Sequence, residues 1–317
     1  MATATLSAVL LAGLFFCYGF RSDSVAAITV FPHWVWVAPA AFLMWIGFRN
    51  RKGLHLLILL GWLGFIVVFS DSPFRYFQRR DHGLKSENVG EHQNKTLRVV
   101  SLNCAGGSED AAREVIPLKP DIVFLQEVPE EKTVLKLTKD LFGEFGNLVR
   151  GEEAAILVSG KVTTMKGLPW FVARAKVELP NGVKLNLTTF RLKAPIVRAD
   201  LWNPECWRVQ KADRIARRKQ LKEILDTIEK DVDTAHSVMG GDFNAPPGDA
   251  IFRLIGPGWS DAFEVGGTGW GATMPNNSPF FRIDRIFKSN GIRVVQAKTA
   301  KTNFSDHRAL IVDMSVQ

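Results

Sequence analysis

The chain predicts an α/β fold of two packed mixed β-sheets flanked by helices, placed after an N-terminal stretch built for a lipid bilayer. Two observations carry this. From residue 97 onward, short apolar runs of strand length alternate with helical segments and hairpin turns, the pattern of a layered domain. Before that, three apolar runs of about 17–23 residues follow one another closely, each long enough to cross a bilayer as a helix.

The first run, Ala2 to Phe20, holds no charge; Ala26 to Phe48 holds none apart from the titratable His33, and Leu54 to Ser70 none apart from His55. Spans are expected over about 2–20, 26–48 and 54–70, within a membrane domain of residues 1–75. A cleaved signal peptide is the alternative for the first run, with Ser24-Val25-Ala26 as a small-x-small site but no basic n-region. Buried core helices are the alternative for the others. Trp34, Trp36 and Trp45 sit towards the ends of the second run, where amphipathic rings favour an interface, and Pro32 and Pro39 shorten or kink it.

Three spans make an integral, multi-pass membrane protein whose first partner is the bilayer. Arg49-Asn50-Arg51-Lys52 argues for a cytoplasmic loop, which sets the N-terminus inside and everything after Ser70 outside the cytoplasm; Arg75, Arg79 and Arg80 argue the other way. The extracytoplasmic placement is the expectation.

Of the net charge of +8, residues 1–80 hold seven Lys/Arg against two Asp/Glu, and the remainder 33 against 30. The excess lies beside the membrane, and the soluble part is no strongly basic, nucleic-acid-coating domain. Three cysteines, at 17, 104 and 206, leave open whether Cys104 and Cys206 pair. Residues 76–96 are polar, without apolar period, and read as a linker.

The soluble part spans 97–317. Leu97 to Asn103 is a strand; Ser108, followed by acids, caps a short helix stopped by Pro117. Pro120 to Leu125 is a second strand, ending in Gln126-Glu127, with a helix at about 130–142. Strands follow at 154–159, 170–179 and 183–189, the last two joined by an Asn181-Gly182 turn. A long helix at 207–230 buries Leu221, Ile224, Leu225 and Ile228. His236 to Met239 runs into Gly240-Gly241-Asp242-Phe243-Asn244, and strands close the chain at 281–287, 292–298 and 308–314.

The polar residues of this part fall at strand ends. In Gly240-Gly241-Asp242-Phe243-Asn244 an acid and an amide on alternate positions leave one face, and two glycines permit a close backbone approach. The plain alternative is an Asx-rich turn. Asn103 and Glu127 end apolar strands, Asp284 lies inside Arg282-Ile283-Asp284-Arg285-Ile286-Phe287, and Asp306-His307 precedes a strand. Each has a dull explanation alone, an edge-strand acid or a structural histidine. Together, carboxylates, amides and one imidazole are what a hard cation and a phosphate require. Zinc spacing is absent from the sequence.

On these stretches, Ser101 to Asn103, Pro120 to Glu127, Gly240 to Asn244, Ile283 to Phe287 and Ser305 to His307, the chain resembles the endonuclease/exonuclease/phosphatase superfamily over residues 97–317. That group includes deoxyribonucleases, abasic-site endonucleases, neutral sphingomyelinases and inositol-polyphosphate phosphatases, and the three-span start resembles its membrane-anchored bacterial members. The resemblance implies a four-layer α/β sandwich and a hydrolase that uses Mg²⁺, or Mn²⁺ in its place. It makes Glu127 the main metal ligand, with Asn103 in support and Asp306 at the metal or its waters. Asp242 would activate the attacking water beside Asn244. His307 would hold phosphate, with Asp284 fixing its tautomer.

One motif departs. In Leu187-Thr188-Thr189-Phe190-Arg191-Leu192, alignment on Leu192 puts Arg191 where the family usually has His or Tyr, and a guanidinium clamps phosphate without donating its proton. Trp202 and Trp207 lie in an insert that either packs over the sheet or meets a base or lipid, and Lys211, Arg214 and Arg218 share a helical face, solvated by default and phosphate-contacting otherwise. The expected function is a membrane-anchored phosphodiesterase acting on nucleic acid, a phospholipid or a small phosphoester. The competing expectation is a catalytically weak binding or scaffold protein that keeps the fold.

Overall fold

In a computed structural model, residues 2–47, 52–69, 96–196, 198–229 and 236–316 are described. The linker of 76–95 and the cations Arg49, Arg51, Arg75, Arg79 and Arg80 lie outside the described residues.

The chain divides into two compact units. One combines residues 1–74 with 194–216 and 245–253. Two later stretches of chain thus belong with the N-terminal helices. Helix α1 (Ala2–Phe20) packs against α3 (Val37–Gly47) and α4 (Lys52–Phe69), and a single turn, α2 (Ala26–Thr29), lies between α1 and α3. Phe65 is fully buried at the centre of this packing, and the Trp62 indole donates to the Ser7 hydroxyl at 3.1 Å.

Three straight spans are not what forms. Among the described residues one helix, Thr3–Phe20, is long and apolar enough to cross a membrane. The second run is broken into Asp23–Thr29 and His33–Leu43, bent by 72°. Pro32 stands at that break and cannot continue a helix. The third apolar stretch, Leu56–Phe69, is shorter than a span.

The same unit corrects the basic helical face. Arg214 is 1% exposed, its Nε donates to Asp249 at 3.2 Å, and its Nη atoms donate to the Thr29 hydroxyl at 2.6 Å and the Ser22 carbonyl at 3.2 Å. Trp202 is exposed, whereas Trp207 turns inward and donates to the Leu201 carbonyl at 2.9 Å.

The second unit holds both sheets. The first begins with β1 (Leu97–Asn103), continues through α5 (Glu109–Arg113) to β2 (Ile122–Gln126), and after α6 (Glu131–Phe142) adds β3 (Gly146–Arg150) and β4 (Ala154–Ser159). The second contains β5 (Lys161–Thr164), β6 (Val172–Glu178) and β7 (Lys184–Arg191). Then α7 (Pro204–Ile228) leads to β8 (Ser237–Asp242), β9 (Trp259–Asp261), the short α8 (Ala262–Gly266) and β10 (Asp284–Ser289). β11 (Ile292–Ala300) and β12 (Ala309–Val316) return to the first sheet, giving the orders 11-12-1-2-4-3 and 5-6-7-8-10-9.

Each sheet has one parallel pair at its centre, β1 with β2 and β7 with β8, and is otherwise antiparallel. Val99, Phe124, Ile156, Leu187, Val238 and Ile286 fill the space between the sheets. Val100, Val123, Leu125 and Leu157 point to the opposite face and meet Ala111, Val134 and Leu137 of α5 and α6. This alternation is why the central strands read as unbroken apolar runs: both faces are covered. The Ser108 hydroxyl caps α5, accepting from Ala111 N at 3.2 Å.

The two glycines of β8 make their close approach to neighbouring strands. A Cβ on Gly241 would lie 2.1 Å from the Phe190 carbonyl oxygen, and one on Gly240 would lie 2.7 Å from that of Arg285.

Candidate active site

Strand direction gathers the polar residues. The parallel pairs contribute their C-terminal ends, bearing Asn103, Glu127, Arg191 and Asp242. The antiparallel neighbours β4, β10 and β12 contribute their N-terminal ends, bearing Glu153, Asp284 and His307. One end of the two sheets therefore receives all of them.

Asp242 is 1% exposed and held by amides. Its Oδ1 accepts from Asn244 N at 2.8 Å, and its Oδ2 accepts from Asn244 Nδ2 at 2.9 Å and Asn103 Nδ2 at 3.1 Å. Burial, with the charge of Asp284 beside it, pushes this carboxyl up to about 7. Asn103 Nδ2 also donates to Glu127 Oε1 at 3.0 Å, so one amide joins the ends of both sheets.

Glu127 is partly exposed, and its Oε2 accepts from Gly106 N. Burial works against its charge. Even so, the hydrogen bond from Asn103, the guanidinium of Arg191 and the Gly106 amide together hold it below the usual carboxylate range. Ala105, Glu127 and Asn244 take φ of +47°, +50° and +47°, left-handed conformations uncommon outside glycine, here concentrated at a single site.

His307 Nδ1 lies 2.8 Å from Asp284 Oδ2. Burial disfavours the imidazolium, but the charge and hydrogen bond of Asp284, aided by Asp242 and Asp306, outweigh it and raise the pKa to about 10. The pairing favours the charged ring, with Nδ1–H directed at Asp284. Ser305 fixes its loop by donating to the Asn103 carbonyl at 2.7 Å and accepting from His307 N at 3.0 Å.

Arg191 closes the other side. Its Nη2 is 2.7 Å from Glu127 Oε1 and its Nη1 is 3.1 Å from Glu153 Oε2. In β7 it stands opposite Asp242 of β8.

Seven of the eight residues expected from the sequence meet here. Asp306 is exposed, and its backbone carbonyl accepts from Asn276 N at 2.7 Å. The acid and imidazole atoms close enough to hold one ion among the described residues are those of Asp242, Asp284 and His307, within 4.8 Å of one another. Glu127 with the Asn103 amide beside it is a second donor set at the same sheet end. It is partly open and all-oxygen, which suits Mg²⁺ or Mn²⁺.

Sequence reasoning missed Glu153, although an acid immediately before an apolar strand is the same signal that found Asp306-His307. It also missed Gln126, whose Nε2 donates to the Thr189 hydroxyl across the sheets at 3.0 Å.

The sequence profile of the Endonuclease/Exonuclease/phosphatase family matches residues 100–307. An endonuclease/exonuclease/phosphatase from Bacteroides vulgatus superposes with a TM-score of 0.53 at 16% identity, over 70% of this chain and all of that one (100%). A humanized D. rerio TDP2 with 14 mutations gives 0.51 at 19%, over 70% and 99%. The Bacteroides thetaiotaomicron mannosyl-6-phosphatase gives 0.50 at 16%, over 69% and 99%. At such identities the likeness is one of fold. No curated protein matches the chain.

Proposed function

The chain belongs to the Endonuclease/Exonuclease/phosphatase family, and from that premise we propose that it is a metal-dependent phosphodiesterase attached to a lipid bilayer by its N-terminal helices. The observation that carries the chemistry is the pairing of a buried, amide-gripped Asp242 with the ionic Asp284–His307 pair.

In this reading Asp242 takes the proton of the attacking water, and a pKa near 7 matches that task near neutral pH. Asn244 and Asn103 hold its oxygens in place. His307, charged and braced by Asp284, holds a non-bridging phosphate oxygen and opposes the charge that develops there. Arg191 adds a fixed positive charge and no proton. A divalent cation bound by Glu127 with Asn103 would neutralise phosphate charge and acidify its bound water.

Substrate class is the finer part of the proposal. The modest charge of the soluble part and the apolar N-terminus favour a phospholipid or envelope phosphoester over long nucleic acid. Mg²⁺- or Mn²⁺-dependent hydrolysis of bis(p-nitrophenyl) phosphate, abolished in Glu127→Gln, is the expected result. A panel of DNA, RNA, sphingomyelin, phosphoinositide and a hexose phosphate then ranks substrates. No turnover on any member with either metal overturns the proposal and favours the binding-protein reading, which has the Arg191–Glu127 ion pair on its side.

Attachment is supported by α1, by Leu6, Val9 and Phe16 facing outward on it, and by Trp45, Leu57 and Leu60 exposed on its companions. Within that unit Arg253 donates to the Gly19 and Phe20 carbonyls at 3.0 and 3.2 Å, so chain near residue 253 lies where α1 ends. With the N-terminus cytoplasmic, catalysis is extracytoplasmic. A periplasmic-type phosphatase reporter fused after Gln317 should be active; an active cytoplasmic fluorescent reporter there reverses the side.

A further inference from the structure

We propose that Glu153 is a positioning residue that draws the Arg191 guanidinium partly away from Glu127, so that a divalent ion meets a carboxylate its resident cation only half offsets. The inference rests on the reading of Glu127 as the metal-holding group. The backbone fixes all three partners. Arg191 ends β7, its N–H donating to the Phe171 carbonyl at 3.2 Å, and Glu127 N donates to the Glu153 carbonyl at 3.0 Å, which locks the two acids at one sheet end. One fork then reaches both carboxylates, at 2.7 Å and 3.1 Å. Each Nη thus meets one of the two acids.

Two acids and one guanidinium leave this corner with a net negative charge. Side-chain exposures of 21–30% mean that water screens it only in part. An incoming divalent ion is attracted by Glu127 and Glu153 and repelled by Arg191. Neutralising Arg191 leaves two unpaired carboxylates facing one space, which tightens metal binding. Neutralising Glu153 leaves Arg191 to offset Glu127 alone, which loosens it. A salt bridge that merely stabilises the fold has no reason to move the affinity in opposite directions.

The test is Mn²⁺ alone, titrated into the full chain in detergent micelles and followed by calorimetry or by the spin resonance of free Mn²⁺. Arg191→Met should bind about tenfold tighter or more, and Glu153→Gln several-fold weaker, a tenfold change corresponding to about 1.4 kcal/mol. Glu153→Asp should stay near the native value. Thermal unfolding in chelator identifies folded variants, and if Arg191→Met does not fold, the contrast between Glu153→Gln and Glu153→Asp decides the sign. Shifts in the same direction, or none, overturn the inference. If Glu127→Gln loses Mn²⁺ while the other variants match native, this inference falls and the proposed function stands. If the native chain binds no Mn²⁺, both fall.

Discussion

Asp242 and Glu127 end strands of different sheets, share the Asn103 amide, and are held in opposite ways. Asp242 is sealed in, its oxygens facing amide donors and its neighbours including another acid, so its proton is retained up to about 7. Glu127 is partly open, faces a guanidinium and a backbone N–H, and loses its proton more readily than usual. The same functional group is thus pushed towards its neutral form in one setting and its charged form in the other, and the proposed function uses the first as a base. Environment makes the difference, and a pair of carboxylates pushed apart in this way is how one site obtains both roles.

The comparison breaks most severely at Asp242. In Asp242→Asn the side-chain oxygens no longer accept a proton, and the new NH₂ group meets the donors of Asn103 and Asn244. Turnover on a chromogenic diester should fall by about 10²–10⁴, the usual contribution of a positioned base. Turnover within threefold of native assigns the base elsewhere.

Arg191→Ala comes next. Losing one charge-assisted contact, worth about 1.5–3 kcal/mol, predicts a rate loss of roughly tenfold to a hundredfold or somewhat more. Arg191→His restores a proton donor, so its gain should appear on alkyl phosphodiesters and much less on nitrophenyl esters. Turnover left unaltered by both variants on both substrates removes Arg191 from the site and overturns the register drawn from Leu192.

A smaller effect is read in pH. The pKa of His307 is raised from 6.5 to about 10 in the fold, so its contribution to stability is complete below pH 6.5 and is lost as pH rises through about 10. Asp284→Asn removes the main upward cause. The fall in Tm across that window, measured in chelator, should shrink. An unchanged slope means that another group carries it. The smallest change expected is the Tm of Glu127→Gln without metal: the one glutamine oxygen keeps either the Asn103 or the Gly106 bond, and the other is lost at a side chain that water partly reaches. A drop above about 8 °C, roughly 2–4 kcal/mol in a domain of this size, would make Glu127 a structural residue.

Much of this was legible in the sequence because short strands buried on both faces leave an uninterrupted apolar signature that stops where the polar residues begin. Asn103, Glu127 and Asp242 were found by that stop. Edge strands such as β5 and β9 carry no such signature, since Lys161, Thr163 and Thr164 face water. Glu153 was hidden because its importance lies in Arg191, nearly forty residues away in sequence and adjacent only once β4 and β7 face each other. The three-span expectation failed for a local reason: apolar composition counts residues, while Pro32 decides where a helix stops.

Arg214 has a practical consequence. Its guanidinium is satisfied by Asp249 together with Thr29 and the Ser22 carbonyl, groups that come from the N-terminal helices. A soluble enzyme prepared by cutting the chain at residue 96 would strip away those acceptors. It would also bare the surface of 194–216 and 245–253 that the helices cover, leaving a buried cation with one partner in place of several. The N-terminal helices and the stretches 194–216 and 245–253 are therefore one folding problem, and purification with the helices retained is the preparation the molecule's own hydrogen bonds call for.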